Sequence, residues 1–222
     1  MRLQREFFLQ PTLKVAQELL GKYLVRNYKG KLIIGKIVET EAYIGPKDKA
    51  SHAYAKKEQP KKEKLKVIKQ NWERIKNYLD DPDKFIKKIL KLKNAKVTKR
   101  NLAEYLRGGH IYIYLVYGNY YQLNITTYKE GYPECVLIRS LEPINSKENP
   151  KGPGKLCQYL KLDSSFWGED VCQSKKIWLM NGEKIKKNDI IKAKRIGIDY
   201  AGESANLPWR FYIKNNQWVS RK

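Results

Sequence analysis

Apolar positions along the chain recur at two periods, and each period marks a kind of element. Leu13, Ala16, Leu19 and Leu20 share one helical face, so LKVAQELLG is predicted as a short helix with Thr12 as its N-cap and Gly21 as its stop. KYLVRNY and KLIIGKIVETEAY then read as two strands of a hairpin turning at Lys29-Gly30. Within the second strand, Glu39, Glu41 and Tyr43 point to one face and Thr40 and Ala42 to the other, until Gly45-Pro46 ends it. Helical spacing returns further on. Leu65, Ile68, Trp72, Ile75 and Leu79 form one amphipathic stripe, Asp80-Asp81-Pro82 breaks it, and Phe85, Ile86, Ile89 and Leu90 begin a second helix. GGHIYIYLVYGNYYQLNITT is a second hairpin, with its turn at Gly118-Asn119 and Tyr117 at the tip.

ECVLIRSLEP is the most apolar strand, and Arg139 interrupts it. A buried arginine needs a partner, and the acids around Glu41 are the candidates. A Gly/Pro turn in NPKGPGK leads to a short helix from about Lys155, whose glycine-preceded start between Lys151 and Lys155 could hold phosphate. Further strands lie in VCQSKKIWLM, DIIKAKRIGIDY and PWRFYIKNNQWVS. Many strands and few helices, in no strict alternation, predict an α+β protein. We expect a single domain over 1–222, with a largely antiparallel curved sheet flanked by short helices and a basic helical hairpin inserted at 56–97.

Charge sharpens this outline. The chain carries 46 Lys+Arg against 23 Asp+Glu, a formal net charge of +23. Residues 56–100 hold 17 of the bases and 6 of the acids, a net of +11. Such a balance points to a polyanionic partner, and 16 tyrosines favour nucleic acid over a membrane. Three irregularly spaced cysteines, Cys135, Cys157 and Cys172, argue against a disulfide framework and for a reducing compartment. With no CxxC pair and two histidines, no metal and no cofactor is expected. MRLQREFFLQ lacks the apolar run of a signal peptide, and no window approaches the roughly 20 apolar residues of a membrane span. The expectation is an intracellular, cytoplasmic monomer, nucleoid-associated in a bacterium.

The segments VETEAYIGPKDKASHAY, Arg100-Asn101, IYIYLVYG, CVLIRSLEP, KGPGKLC, RIGIDYAGE and PWRFYI stand in the order seen in the methylpurine (alkyladenine) DNA glycosylases. The chain resembles that family over nearly its whole length, roughly Ala55 to Val97 excepted. The resemblance implies an enzyme that flips a damaged purine out of duplex DNA and hydrolyses its N-glycosidic bond. It implies that Glu41 activates the water and that Arg139 and the Ile196 backbone carbonyl help hold it. Tyr43, His52 and Tyr114 would wall the extruded base, and Asn124 would reject the exocyclic amine of guanine. Tyr117 would fill the gap in the duplex. Arg100, Asn101, Lys151 and Lys155 are the expected DNA contacts. The chain departs from the family's pattern at Glu104-Tyr105, where Met-Phe is usual, at Gly108-Gly109 for Pro-Gly, and at Asn119 for Met.

The chemistry is consistent with these residues. N-glycoside cleavage passes through an oxocarbenium-like state, and an alkylated purine already carries positive charge, so one carboxylate can suffice. Tyrosine faces attract a cationic base by up to about 2 kcal/mol or more when desolvated. Glu39 lies on the same side of its strand as Glu41, and alternation alone does not choose between them. A neutral lesion such as hypoxanthine would need a proton donor, which the sequence does not identify. The other reading is a non-catalytic basic nucleic-acid-binding protein.

Overall fold

The β-branched and aromatic runs form an eight-stranded sheet in a computed structural model that describes residues 1–144 and 146–221. Asn145 and Lys222 lie outside the described residues. In chain order the elements are α1 (Arg5–Phe8), α2 (Thr12–Glu18), β1 (Tyr23–Tyr28), β2 (Lys31–Ile44), α3 (Lys61–Gln70), α4 (Trp72–Ile75) and α5 (Pro82–Lys91). Then follow β3 (Ile111–Val116), β4 (Tyr120–Thr126), β5 (Glu134–Pro143), α6 (Pro153–Tyr159), β6 (Ile177–Met180), β7 (Ile190–Ala193) and β8 (Arg210–Ile213). Every strand pair is antiparallel, in the order β3-β4-β5-β2-β1-β6, with β8 joining β2 to β7. The fold is therefore mixed α/β, with a curled antiparallel sheet and short helices, as its patterning predicts.

The longest strand, β2, carries the sheet. One edge pairs with β5 from Gly35 to Ile44, and the other pairs with β1 over Lys31–Lys36 and with β8 over Glu39–Glu41. Irregularities flank Glu39, and such bulges bend a strand and increase its twist. This bend lets β2 leave β1 and take up β8. One continuous core runs from Leu3 to Phe211. Val15, Ala16 and Leu19 of α2 and Leu156, Cys157 and Leu160 of and after α6 are all buried in it. Fully burying each large side chain contributes about 1.5–3 kcal/mol.

Three local expectations are corrected. Thr12 does not cap α2: Pro11 occupies that position, and the Thr12 hydroxyl instead bonds Thr127 and Glu134 in the interior. The stripe from Leu65 to Leu79 is not one helix. Asn71 ends α3, its amide donating to the Val67 carbonyl at 2.8 Å, and a single α-turn follows as α4. The 56–97 segment thus holds three α-helical pieces and a 3₁₀ turn (Lys76–Tyr78) instead of a two-helix hairpin, docked through Ile68, Ile75, Phe85 and Ile89. Within it Lys64 is fully buried, donating to Glu58 at 2.7 Å and to the Leu92 carbonyl at 2.8 Å. Finally, the β3–β4 turn centres on Tyr117 and Gly118, both left-handed (φ 52° and 73°), not on Gly118-Asn119. Gly118 takes that conformation without cost, whereas Tyr117 is held in it at the apex. Among the described residues no helix is long and apolar enough to cross a membrane.

Candidate active site

Strand register assembles the site. Glu41 pairs with Leu137, Leu137 with Asn124, and Asn124 with Tyr112, so one row crosses β2, β5, β4 and β3. Directly opposed residues in an antiparallel sheet share a face, and so do residues two apart. That face therefore also presents Tyr43, Cys135, Arg139, Gln122 and Tyr114. A cavity of about 350 Å³ opens over it, lined by Tyr43, Tyr112, Tyr114, Asn124, Leu137 and Arg139 among others. The turn after β7 closes one side with Ile196, Gly197 and Ile198, and His52 closes another.

Glu41 lies just behind this wall. It is fully buried and does not itself line the cavity, but three of its partners do. The Ile196 backbone N–H donates to Oε1 at 2.8 Å, and Arg139 Nη1 lies 3.3 Å from the same oxygen. The Tyr43 hydroxyl donates to Oε2 at 2.9 Å. Burial and the Glu41 charge hold that phenol protonated well above the ordinary tyrosine range. Ile196 thus meets Glu41 through its amide N–H, a separate group from the carbonyl that the resemblance assigns to the water.

Glu39 has a different environment. Arg210 Nη1 reaches its Oε1 at 2.8 Å, the Ser220 N–H donates to Oε2 at 2.7 Å, and Arg139 Nε lies 3.4 Å from Oε1. Two acids and two guanidiniums thus form one charge-balanced cluster. Within it both acids are bonded to the protein on both oxygens, but all three partners of Glu41 line the cavity, whereas of the partners of Glu39 only Arg139 does.

The aromatic wall is mutually braced. His52 Nδ1 shares a hydrogen bond with the Tyr112 hydroxyl at 2.8 Å, and its ring meets the Tyr114 ring edge-on at 4.7 Å. Tyr114 donates to Gln122 Oε1 at 2.9 Å, and the Arg100 guanidinium stacks 4.6 Å from its ring centre. Burial, aided by Arg100 and Lys96, lowers the His52 pKa to about 4. NMR of the imidazole is expected to find it neutral from pH 8 down to about 4. A midpoint near the ordinary value of about 6.5 would mean that the ring is solvated. Below that window the ring would carry a charge that repels a cationic base.

Of the other expected residues, some line the cavity and some do not. Asn101 is buried. Its amide donates to the His52 and Lys96 carbonyls at 2.9 and 2.8 Å, so it positions His52. Asn124 lines the cavity and is locked by donating to the Tyr112 and Gln122 carbonyls at 3.1 and 3.3 Å. Tyr117 is 91% exposed at the hairpin tip, on the cavity rim. Arg100 is also exposed at that rim. Lys155 is exposed and Lys151 half-buried near the start of α6, and neither lines the cavity.

Three residues were missed. Tyr112 holds His52, and its place beside Tyr114 follows from strand alternation. Arg195, fully buried, joins Asp48 through both carboxylate oxygens at 2.5 and 2.8 Å and donates to the Ala42 and Ser204 carbonyls at 2.9 and 3.0 Å. Glu104 is 2% exposed in the 3₁₀ turn Leu102–Tyr105 and lines the cavity. Among the described residues no His/Cys/Asp/Glu group is arranged to hold a metal.

The family model described as methylpurine-DNA glycosylase matches residues 6–67 and 90–217, leaving a gap inside the α3–α5 segment. Similar curated proteins extend over the full chain. One from Methanocella arvoryzae is 38% identical over 99% of this chain and 96% of its own length. One from Natranaerobius thermophilus is 37% identical over 99% of both chains, and one from Clostridium tetani 36% identical over all of both. Each bears the name "Putative 3-methyladenine DNA glycosylase".

Proposed function

The chain belongs to the methylpurine-DNA glycosylase family, and from that premise we propose that it extrudes an alkylated purine from duplex DNA and hydrolyses its N-glycosidic bond with water activated by Glu41. The enzyme is a DNA glycosylase. The observation that carries the finer reading is the buried Glu41 carboxylate, held by Arg139, Ile196 and Tyr43 directly behind an aromatic cavity.

In this mechanism the base enters between Tyr43, Tyr114 and His52. Taking it out of the stack costs a few kcal/mol, least for a damaged pair. The tyrosine faces favour a cationic ring, and the neutral His52 adds no opposing charge. Water lodges against Arg139 and Ile196, and Glu41 takes its proton as oxygen attacks the anomeric carbon. The bonding pair of the cleaved C–N bond passes to the base, which leaves as a neutral methylpurine. The negative charge of Glu41, behind Tyr43 and Arg139, also favours the developing sugar cation. Asn124, unable to move, limits what substituents the base can carry on its side.

Tyr117 supplies the wedge. A tyrosine held left-handed at an exposed tip contributes little to the core and fits the gap left by an extruded nucleotide. Incubation with methylated duplex should release free methylpurine and leave the strands unbroken. Tyr117→Ala should lower release roughly ten- to hundredfold, the worth of about 1–3 kcal/mol of stacking. Its stability should stay within about 0.5 kcal/mol of the parent. If wild-type protein releases no methylpurine, the proposed activity is wrong. Undiminished release by the Tyr117 variant would reject only the wedge.

A further inference from the structure

Among the described residues Glu104 is the one carboxyl on the cavity wall, and none of the steps above uses it. It sits in the apolar run Leu102, Ala103, Tyr105, Leu106, all buried, beneath strands β3, β4 and β5. The Cys135 S–H on β5 donates to its Oε1 at 3.5 Å. Its Oε2 is sealed from water and has no hydrogen-bond partner. A buried charged oxygen left unpaired is costlier than a neutral one, which favours the protonated acid. Oε1 already accepts from the thiol, so the proton falls on Oε2, where the protein supplies no acceptor and a base in the cavity could.

We propose that Glu104 is a specificity-determining residue, a neutral acid whose Oε2–H donates to the edge of an extruded neutral purine and which, once ionised, favours cationic bases instead. This rests on the glycosylase reading. The groups around it agree. Burial raises its carboxyl to about 8, the Cys135 bond and Arg100 pull the other way, and Asp48 adds to the rise. Tyr112 and Tyr114 face it from β3, both held protonated by burial, and β4 offers the cavity only the uncharged Gln122 and Asn124. The hydrogen bond would steady the leaving purine as it accepts the glycosidic electron pair, which a base without its own positive charge most needs.

The test compares single-turnover release from two duplexes, one holding 3-methyladenine, a cationic lesion without guanine's exocyclic amine, and one hypoxanthine. In wild type, hypoxanthine release should fall about tenfold per pH unit above about 8, while 3-methyladenine release should not. Glu104→Gln keeps a donor without a titrating proton and should flatten the hypoxanthine profile. Glu104→Met should lose roughly tenfold more on hypoxanthine than on 3-methyladenine at pH 7. The wild-type protein gives a measurement independent of any variant's folding: the infrared carbonyl band of its protonated carboxyl should shift on adding the hypoxanthine duplex. An alkaline fall that persists in Glu104→Gln, equal losses on the two lesions in Glu104→Met, an unmoved band, or 3-methyladenine release with none of hypoxanthine would each overturn the proposal. Release from neither duplex would instead reject the glycosylase reading.

Discussion

Replacing Glu41 by glutamine is expected to slow methylpurine release by about 10²–10⁴-fold and leave duplex affinity unchanged. The size follows from losing the proton acceptor and, with it, the negative charge that favours the sugar cation. The fold should survive because the amide fits the same bonds. Its oxygen can accept from the Ile196 N–H, and its NH₂ can donate to the Tyr43 hydroxyl oxygen in place of accepting from it. The buried cluster does lose balance, from two acids and two guanidiniums to one acid and two. Arg139, however, reaches the cavity and keeps Glu39 at 3.4 Å, so the cost should stay below the about 3–5 kcal/mol of breaking a sealed pair. Affinity rests on lysines and arginines meeting phosphates and should keep its salt slope. Normal turnover by this variant would remove Glu41 from the mechanism, and Glu39 would not replace it, since of its partners only Arg139 lines the cavity while Arg210 and Ser220 do not.

Which of these two acids serves the cavity is the point where reading along the chain stops. Alternation puts Glu39 and Glu41 on one face, and nothing local separates them. The separation comes from Ser220, 181 positions away, and from Arg210. Contacts that are local or follow a strand's period were legible: the β1–β2 hairpin, the tip position of Tyr117, and the pairing of Arg139 with acids near Glu41. Contacts that depend on register between strands were not. The row from Glu41 to Tyr112 exists because β5 and β4 lie between them, an order that the chain does not follow. Glu104 shows the same limit, since its burial depends on three strands packing over it. It did leave one signal, a lone carboxyl inside the run Leu102–Leu106. The stripe across Leu65–Leu79 failed for another reason: its period was right, but an asparagine that bonds its own preceding turn ended the helix.

Asp48→Ala should lower stability by about 3–5 kcal/mol, the cost of leaving a buried guanidinium without its anion. Arg195 and Asp48 are both sealed from solvent, unlike Arg139, so water cannot replace the missing carboxylate. At roughly 2–4 °C per kcal/mol for a chain of this size, the midpoint should fall by about 6–20 °C. The damage should also reach catalysis. Arg195 ties the Ala42 carbonyl on β2 to Ser204, lies under the Tyr43 ring at 4.7 Å, and directly precedes Ile196, whose N–H holds Glu41. Asp48 accepts from the Ala50 N–H at 3.0 Å, and Ala50 lines the cavity. Stability and positioning can be separated by Asp48→Leu combined with Arg195→Met. Apolar replacement of both partners of a buried pair is often neutral, so the double variant should recover most of the lost stability. Its rate of base release should stay low, because no guanidinium then joins β2 to the turn beneath Tyr43. A single variant that costs under about 1 kcal/mol would show the pair to be solvated. A double variant with full activity would show that packing alone positions Ile196 and Tyr43.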